Sequence, residues 1–149
     1  MTNKEYAEIL LPGVKHSWEE YEKMYPERDL PEGAMVTRYA PSPTGFVHIG
    51  ALLSSFFDKQ FAKQTNGICY LRIEDTDQER SIENGVSSII NSLNEFGITF
   101  DEGPISETEE KGKYGPYIQS NRGDIYKAYA KKLIEEDKAY ASFLTKEEL

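Results

Sequence analysis

The chain has 149 residues, with 17 Lys and Arg against 26 Asp and Glu for a formal charge of −9, 38% hydrophobic residues and a single cysteine. This excludes a membrane-spanning helix, which needs about 20 consecutive apolar residues, a disulfide framework or multi-thiolate metal site, and collagen-like, coiled-coil or disordered chains. The first residues lack the cationic start and apolar run of a secretion signal, so a soluble, cytoplasmic α/β domain is expected.

Residues 1–34 carry four bases and eight acids. Ser17 is placed to cap one short helix from Trp18 to Tyr25, and Pro26, Pro31 and Gly33 then break the chain. The segment therefore reads as an N-terminal extension outside the core domain. Met35–Tyr39 is a strand candidate, ended by Pro41 and Pro43, which remove ladder donors. From His48 the pattern is helical, with Ile49, Leu52, Leu53, Phe56, Phe57 and Phe61 as an apolar stripe. Asn66-Gly67 is a helix stop. Ile68–Ile73 predicts a strand that runs into Glu74-Asp75-Thr76-Asp77. Ile82, Val86, Ile89, Ile90 and Leu93 predict a second helix closed by Gly97, and Ile98–Phe100 a third strand. Strand alternating with helix argues for a parallel sheet with helices on its faces.

Residues 101–118 read as a connecting loop, and 101–110 hold five acids and no base. With residues 1–34 they account for the whole net charge, so general polyanion binding gains no support from composition. A helix is predicted from Arg122 to Asp137 through Ile125, Tyr129, Leu133 and Ile134, then a strand over Ala139–Leu144. Thr145-Lys146-Glu147-Glu148 is a capping-box pattern that opens a helix. Its position just before Leu149 leads us to expect the N-terminal part of a longer protein. The expected division is 1–34, an extension; 35–100, the first half of the sheet domain; and 101–149, a connecting loop and the start of an inserted region.

Two segments can carry chemistry. Ala40–Gly50 joins the first strand to its helix, where open parallel sheets bind ligands and a helix N-terminus favours phosphate. His48 would donate a hydrogen bond there, and Gly50 would let a nucleotide approach; the alternative is a proline-stiffened turn with an incidental histidine. In Arg72-Ile73-Glu74-Asp75-Thr76-Asp77, alternation puts Arg72 and Glu74 on one face. The carboxylates there can hold an ammonium, a ribose hydroxyl or Mg²⁺, or form a polar loop capped by Asp77 or Ser81. Arg38 can grip a carboxylate or simply pair with Glu74. Cys69 reads as buried and inert, and Tyr114, Tyr117, Tyr126 and Tyr129 read as packing.

Taken in order, Arg-Tyr-Ala-Pro-Ser-Pro-Thr-Gly-Phe-Val-His-Ile-Gly at 38–50 and Arg-Ile-Glu-Asp-Thr-Asp at 72–77 closely resemble the catalytic start of bacterial glutamyl-tRNA synthetases, class I aminoacyl-tRNA synthetases. The resemblance runs from Arg38 to Leu149 and includes Phe100–Pro104 and Tyr117–Ser120. Pro41–Gly45 is similar to the bacterial glutamyl form and less so to glutaminyl enzymes, which read Pro-Glu-Pro-Asn-Gly.

The resemblance implies the N-terminal half of a Rossmann-like parallel sheet with flanking helices. It also implies activation of L-glutamate by ATP and transfer to tRNA(Glu), with Mg²⁺ accompanying ATP. By analogy Arg38 pairs with the substrate side-chain carboxylate, Ser42 hydrogen-bonds the amino acid and Glu74 holds its ammonium. His48 and Gly50 are the catalytic candidates, and Pro41, Thr44, Gly45, His48, Gly50 and Ala51 the ATP-binding set. Ala51 stands where the His-Ile-Gly-His signature has its second histidine. Ser142 and Leu144 stand where many relatives carry a Cys-x-Cys pair, so no zinc is expected. The lysine-rich Lys-Met-Ser-Lys-Ser loop, the second half of the sheet and the anticodon-binding region do not occur in this sequence, and residues 1–34 precede the usual start. A monomeric parent enzyme is expected, with this piece inactive alone. The rivals are the shorter relative that glutamylates queuosine in tRNA-Asp and a non-catalytic nucleotide-binding module.

Overall fold

A computed structural model describes residues 1–80, 82–145 and 147–148, with Gln78 described by its backbone alone. Ser81, one of the two expected caps, lies outside the described residues, as do Lys146 and Leu149 of the closing capping-box segment. In chain order the elements are α1 (Asn3–Leu10), α2 (Trp18–Met24), β1 (Val36–Tyr39), α3 (Ile49–Gln64), β2 (Ile68–Leu71), α4 (Gly85–Glu95), β3 (Gly103–Pro104), β4 (Glu110–Lys111) and α5 (Gly123–Glu135). Single 3-10 turns lie at Gln78–Arg80 and Gln119–Arg122. The chain divides into two compact units, Glu27–Arg122 and Met1–Pro26 with Gly123–Leu149. These cuts fall elsewhere than the 34/35 and 100/101 boundaries drawn from the sequence.

In the first unit β1 and β2 pair in parallel, Val36 opposite Ile68 through Tyr39 opposite Leu71, as the β-former runs predict. α3 makes the crossover between them. Its end is set at Asn66, which takes a left-handed φ of 54°, and at Gly67, where a Cβ would lie 1.9 Å from the Met35 carbonyl oxygen. The core gathers Leu71 and Ile73 from β2 and its continuation, Val86, Ile89 and Leu93 from one face of α4, and Ile98 and Ile118. Burying each such side chain contributes about 1.5–3 kcal/mol. α4 thus buries three of its predicted apolar positions, and Gly97 follows it with φ 70°.

The α3 stripe departs from expectation. Ile49, Leu53, Phe56, Phe57 and Phe61 are 46–80% exposed, whereas Ser55 and Ala62 are buried. Small residues let the helix approach the sheet closely, so the bulky ones of this stripe turn outward, Phe57 lying 6.0 Å from Phe56 and 6.2 Å from Phe61. Leu52 alone of the stripe packs against the core.

The expected strand over Ile98–Phe100 does not form. The chain runs beside β2, but the Cys69 amide donates to the Asp101 side chain at 2.8 Å in place of a main-chain carbonyl. Only an isolated parallel bridge, Tyr70 with Glu102, results. Nor is 101–118 a plain loop: β3 and β4 pair antiparallel within it.

In the second unit Ser17 caps α2 as expected, accepting Glu20 N–H, and Glu20 completes a capping box by accepting Ser17 N–H. A second box, Thr2 with Glu5, starts α1, a helix the sequence reading did not include. Tyr21, Ile125 and Ala128 form the core of this unit with Val14, Tyr25 and Tyr129. Lys132 stands 3.4 Å over the Trp18 ring, and Lys15 pairs with Asp124 at 2.9 Å. The expected strand over Ala139–Leu144 is irregular coil, with Tyr140, Phe143 and Leu144 exposed. Among the described residues no strand pairs with it to supply a ladder. Glu148 does reach back to the Thr145 amide at 2.8 Å, half of the predicted box.

Candidate functional site

The parallel ladder continues beyond the ends of its strands. Arg72 N–H donates to Tyr39 O at 3.0 Å and Glu74 N–H to Pro41 O at 2.9 Å. Proline has no donor but keeps its carbonyl, so Pro41 ends β1 as a donor strand and still holds Glu74. Pro43 does the same for Ile82 N–H at 2.9 Å. On the other flank Ile73 N–H donates to Tyr117 O at 3.0 Å, and Ile73 O accepts from Gln119 N–H at 2.9 Å. Three parallel pieces, 39–41, 72–74 and 117–119, therefore end side by side at one rim.

Glu74 stands at the middle of that rim. Its Oε1 accepts from Arg72 Nη2 at 2.8 Å and lies 3.6 Å from Arg38 Nη1. Arg72 and Glu74 share this face, as alternation predicts, and of the two alternatives for Arg38 its pairing with Glu74 is present. Two guanidiniums therefore share one carboxylate at the rim. Arg38 and Glu74 are both more than a third exposed on their side chains, and such a pair stabilises the fold by at most about 1 kcal/mol. Arg38 also faces Asp58 of α3, whose carboxyl burial pushes up and Arg38 pulls down.

The other two carboxylates of this segment turn elsewhere. Asp75 accepts from Ser120 N–H at 2.8 Å and Ser120 Oγ at 2.6 Å. Asp77 caps the 3-10 turn at Arg80 N–H and pairs with the Arg80 guanidinium, which lowers its pKa. Asp77 thus takes the capping position that the sequence offered it.

The Ala40–Gly50 loop encloses a cleft of about 250 Å³ with Tyr39, Pro41, Ser42, Thr44, Gly45, Val47, His48 and Ala51 on its walls. His48 is the N-cap of α3, and its Nδ1 accepts from Gly50 N–H at 3.1 Å. An accepting Nδ1 places the proton of neutral imidazole on Nε2, so the free edge of the ring is a donor. A Cβ on Gly50 would lie 3.0 Å from the His48 ring, so glycine is what lets the ring fold back on the helix. Gly85 is similarly tight against Pro43, 3.0 Å from its Cβ, which fixes the start of α4 under the loop.

Of the sequence candidates, Arg38 and Glu74 meet, and Pro41, Ser42, Thr44, Gly45, His48 and Ala51 line one hollow. The Pro41–Glu74 hydrogen bond joins the two groups; the cleft walls themselves do not include Arg38 or Glu74. The third flank, Gln119 and Ser120, lies within the resembling Tyr117–Ser120 segment but is not among the candidate site residues. The β-forming Tyr117-Ile118 ahead of them was the available signal. Cys69 is 1% exposed and burial raises its pKa, so it is an inert core residue as read. Among the described residues no helix is long and apolar enough to cross a membrane.

The family model described as tRNA synthetases class I (E and Q), catalytic domain, matches residues 34–149. Glutamate–tRNA ligase of Clostridium perfringens strain 13 is 48% identical over 149 residues, all of this chain and 27% of its own length. That of Acetivibrio thermocellus is 49% identical over 150 residues, again 27% of its length. Both alignments include residues 1–33, so the N-terminal segment, which the sequence reading left unmatched, has counterparts. Among solved structures, a glutamate tRNA ligase from Elizabethkingia meningosepticum in complex with its amino acid superposes with a TM-score of 0.68. It is 40% identical, over 77% of this chain and 22% of that one.

Proposed function

The chain belongs to the catalytic-domain family of class I tRNA synthetases for glutamate and glutamine, and from that premise we propose that it supplies the amino-acid and ATP-binding rim of a glutamate–tRNA ligase. It spans about a quarter of the length of the curated relatives it matches, 27%. The observation that carries the reading is the junction at Pro41 and Glu74. A charged cluster, made by Arg38 and Arg72 around Glu74, is tied by one main-chain hydrogen bond to a cleft capped by a donor histidine.

In this reading Arg38 binds the side-chain carboxylate of glutamate, Glu74 holds its ammonium and Ser42 hydrogen-bonds it. ATP lies in the Pro41–Ala51 cleft over Gly45 and Gly50, with its Mg²⁺ as counter-ion. The glutamate α-carboxylate oxygen attacks the α-phosphorus, the bond from that phosphorus to the bridging oxygen breaks, and pyrophosphate leaves. His48 Nε2–H and the positive end of α3 stabilise the charge that develops on the phosphoryl oxygens. No protein nucleophile is needed: the work is positioning and electrostatics. The glutamyl group then passes to tRNA(Glu), in the cytoplasm, on a monomeric enzyme. The 149 residues bind both substrates without charging tRNA by themselves.

Calorimetric titration of the chain with L-glutamate and with Mg·ATP tests this, alongside ATP–pyrophosphate exchange. Saturable glutamate binding that disappears in Arg38→Met supports the reading. Absence of glutamate binding, or equal binding by Arg38→Met, overturns it, and robust exchange by these residues alone overturns the separation of binding from ligation.

A further inference from the structure

Beneath the rim lies a buried ionic cluster that the proposed chemistry does not use. Glu102 is 9% exposed. Its two oxygens accept from Arg28 Nη1 at 2.6 Å and Nη2 at 2.7 Å, and Oε2 also accepts from Tyr117 Oη at 2.7 Å. The Arg28 guanidinium lies 3.7 Å from the Tyr114 ring centroid, and Tyr114 N–H donates to Tyr117 Oη at 3.0 Å. Gly112 makes the room: its φ is 114°, and a Cβ there would stand 2.3 Å from Tyr117 Oη and 2.8 Å from the Glu102 side chain. Every member of the cluster but one comes from residues 102–117. Arg28 arrives from ahead of residue 34, where the family match begins.

The two anchored residues flank β2 on the side away from β1. Glu102 O accepts Leu71 N–H at 2.9 Å and Tyr117 O accepts Ile73 N–H at 3.0 Å. Glu74 is the next residue. We propose that Arg28 is a positioning residue for the amino-acid half of the rim: by clamping Glu102, and Tyr117 through it, it holds the strand neighbours that set where Glu74 and Asp75 stand. This rests on the reading of Glu74 and Arg38 as the glutamate site. A bidentate guanidinium fits because its planar fork fixes the carboxylate plane as well as its charge. Removing it leaves a buried carboxylate without a counter-ion, and such a group is relieved by backbone movement or protonation.

The test compares Arg28→Met, Arg28→Lys, Glu102→Gln and the double variant Arg28→Met/Glu102→Gln. Three readouts are needed: the amide resonances of Ile73, Glu74 and Asp75 without ligand, the affinities for L-glutamate and Mg·ATP, and the thermal midpoint. Arg28→Met is expected to shift those amides and weaken glutamate by about tenfold, and ATP by a smaller factor of about twofold to threefold, because the cleft meets Glu74 only through the Pro41 carbonyl. The double variant, which has no stranded charge, is expected to return glutamate affinity to within about threefold of the parent. Arg28→Lys keeps the charge and loses the fork, so it should recover only part.

Unmoved amides with only a lower thermal midpoint would make the pair merely structural and overturn the proposal. So would glutamate and ATP affinities falling by the same factor. If Arg28→Met does not fold, Arg28→Lys and the double variant carry the same comparison. If the parent itself binds no glutamate, the proposed function fails, and the amide shifts still decide whether Arg28 positions residues 73–75.

Discussion

Glu74 and Pro41 are held together through their main chains, amide to carbonyl at 2.9 Å. The arrangement couples two loops that are far apart in sequence without relying on either side chain. Glu74 can therefore turn its carboxylate to Arg38 and Arg72 while its backbone fixes the height of the Ala40–Gly50 loop. Any ligand that touches both groups sees a fixed spacing between them.

The exposed charges at this rim are expected to matter for binding and little for stability. Arg38→Met and Glu74→Gln should each change the unfolding free energy by no more than about 1 kcal/mol, since Arg38 and Glu74 are partly solvated. Each should weaken glutamate by about tenfold or more, because a charge-assisted contact is worth roughly 1.5–3 kcal/mol. Urea denaturation and calorimetric titration on the same preparations separate the two effects. A loss of stability that matches the loss of affinity would make the cluster structural.

His48 has two separable duties, one for each ring nitrogen. Its Nδ1 caps α3 at Gly50 N–H, and asparagine can also cap a helix through its side-chain oxygen. His48→Asn should thus keep the thermal midpoint near that of the parent while weakening Mg·ATP. His48→Ala should lose the cap as well, at a cost of about 1 kcal/mol. Equal ATP affinity in parent and His48→Asn would remove Nε2 from the nucleotide site.

Where the sequence was legible, local chemistry and tertiary packing agree. β1, β2 and the cap at Ser17 follow from β-formers, prolines and a serine ahead of a helical run, all short-range signals. The two motifs were readable because each residue type answers a backbone need: prolines that only accept, glycines that let a ring or a helix start come close. The α3 stripe misled because periodicity reports which residues share a face and not which face the sheet accepts; Ser55 and Ala62 were small enough to be chosen instead. Ile98–Phe100 misled because Asp101 supplied from its side chain what a strand supplies from its backbone. The third flank at Gln119 and Ser120, and the reach of Arg28 to Glu102, depend on contacts 45 and 74 residues apart, which no local pattern encodes.

Gly67 tests the register of the sheet. A methyl group there would fall 1.9 Å from the Met35 carbonyl oxygen, and that oxygen accepts Ile68 N–H at 3.1 Å as the first rung between β1 and β2. The obstacle is main chain and cannot rotate away. Gly67→Ala is expected to destabilise by about 1–3 kcal/mol, the range for overpacking, and to raise amide exchange at Ile68 first. Chemical denaturation and hydrogen exchange measure both, and an unchanged midpoint would show that the helix end relaxes without moving β1.

The Glu102 cluster predicts a stability profile with two flanks. Arg28 and the Tyr117 hydroxyl hold the Glu102 carboxyl below its ordinary range, so its contribution is present above the unfolded value of about 4.3 and is lost as pH falls through the lower, folded value. Burial and the Glu102 carboxylate raise Tyr117 from 10.0 to about 12. A raised tyrosine contributes below its unfolded value, so stability should fall as pH rises from about 10 to 12. Tyr129, held by Glu22, also rises to about 12, so the comparison must be with Tyr117→Phe rather than with bulk tyrosine. At pH 8 that variant lacks the hydroxyl bond to Glu102 and should be less stable than the parent by about 1–2 kcal/mol. Between pH 10 and 12 the parent alone loses this contribution, so the gap should close. A gap that stays constant to pH 12 would mean that Tyr117 ionises no later than a solvated phenol, and the cluster would then be looser than its 2.6–2.7 Å contacts describe.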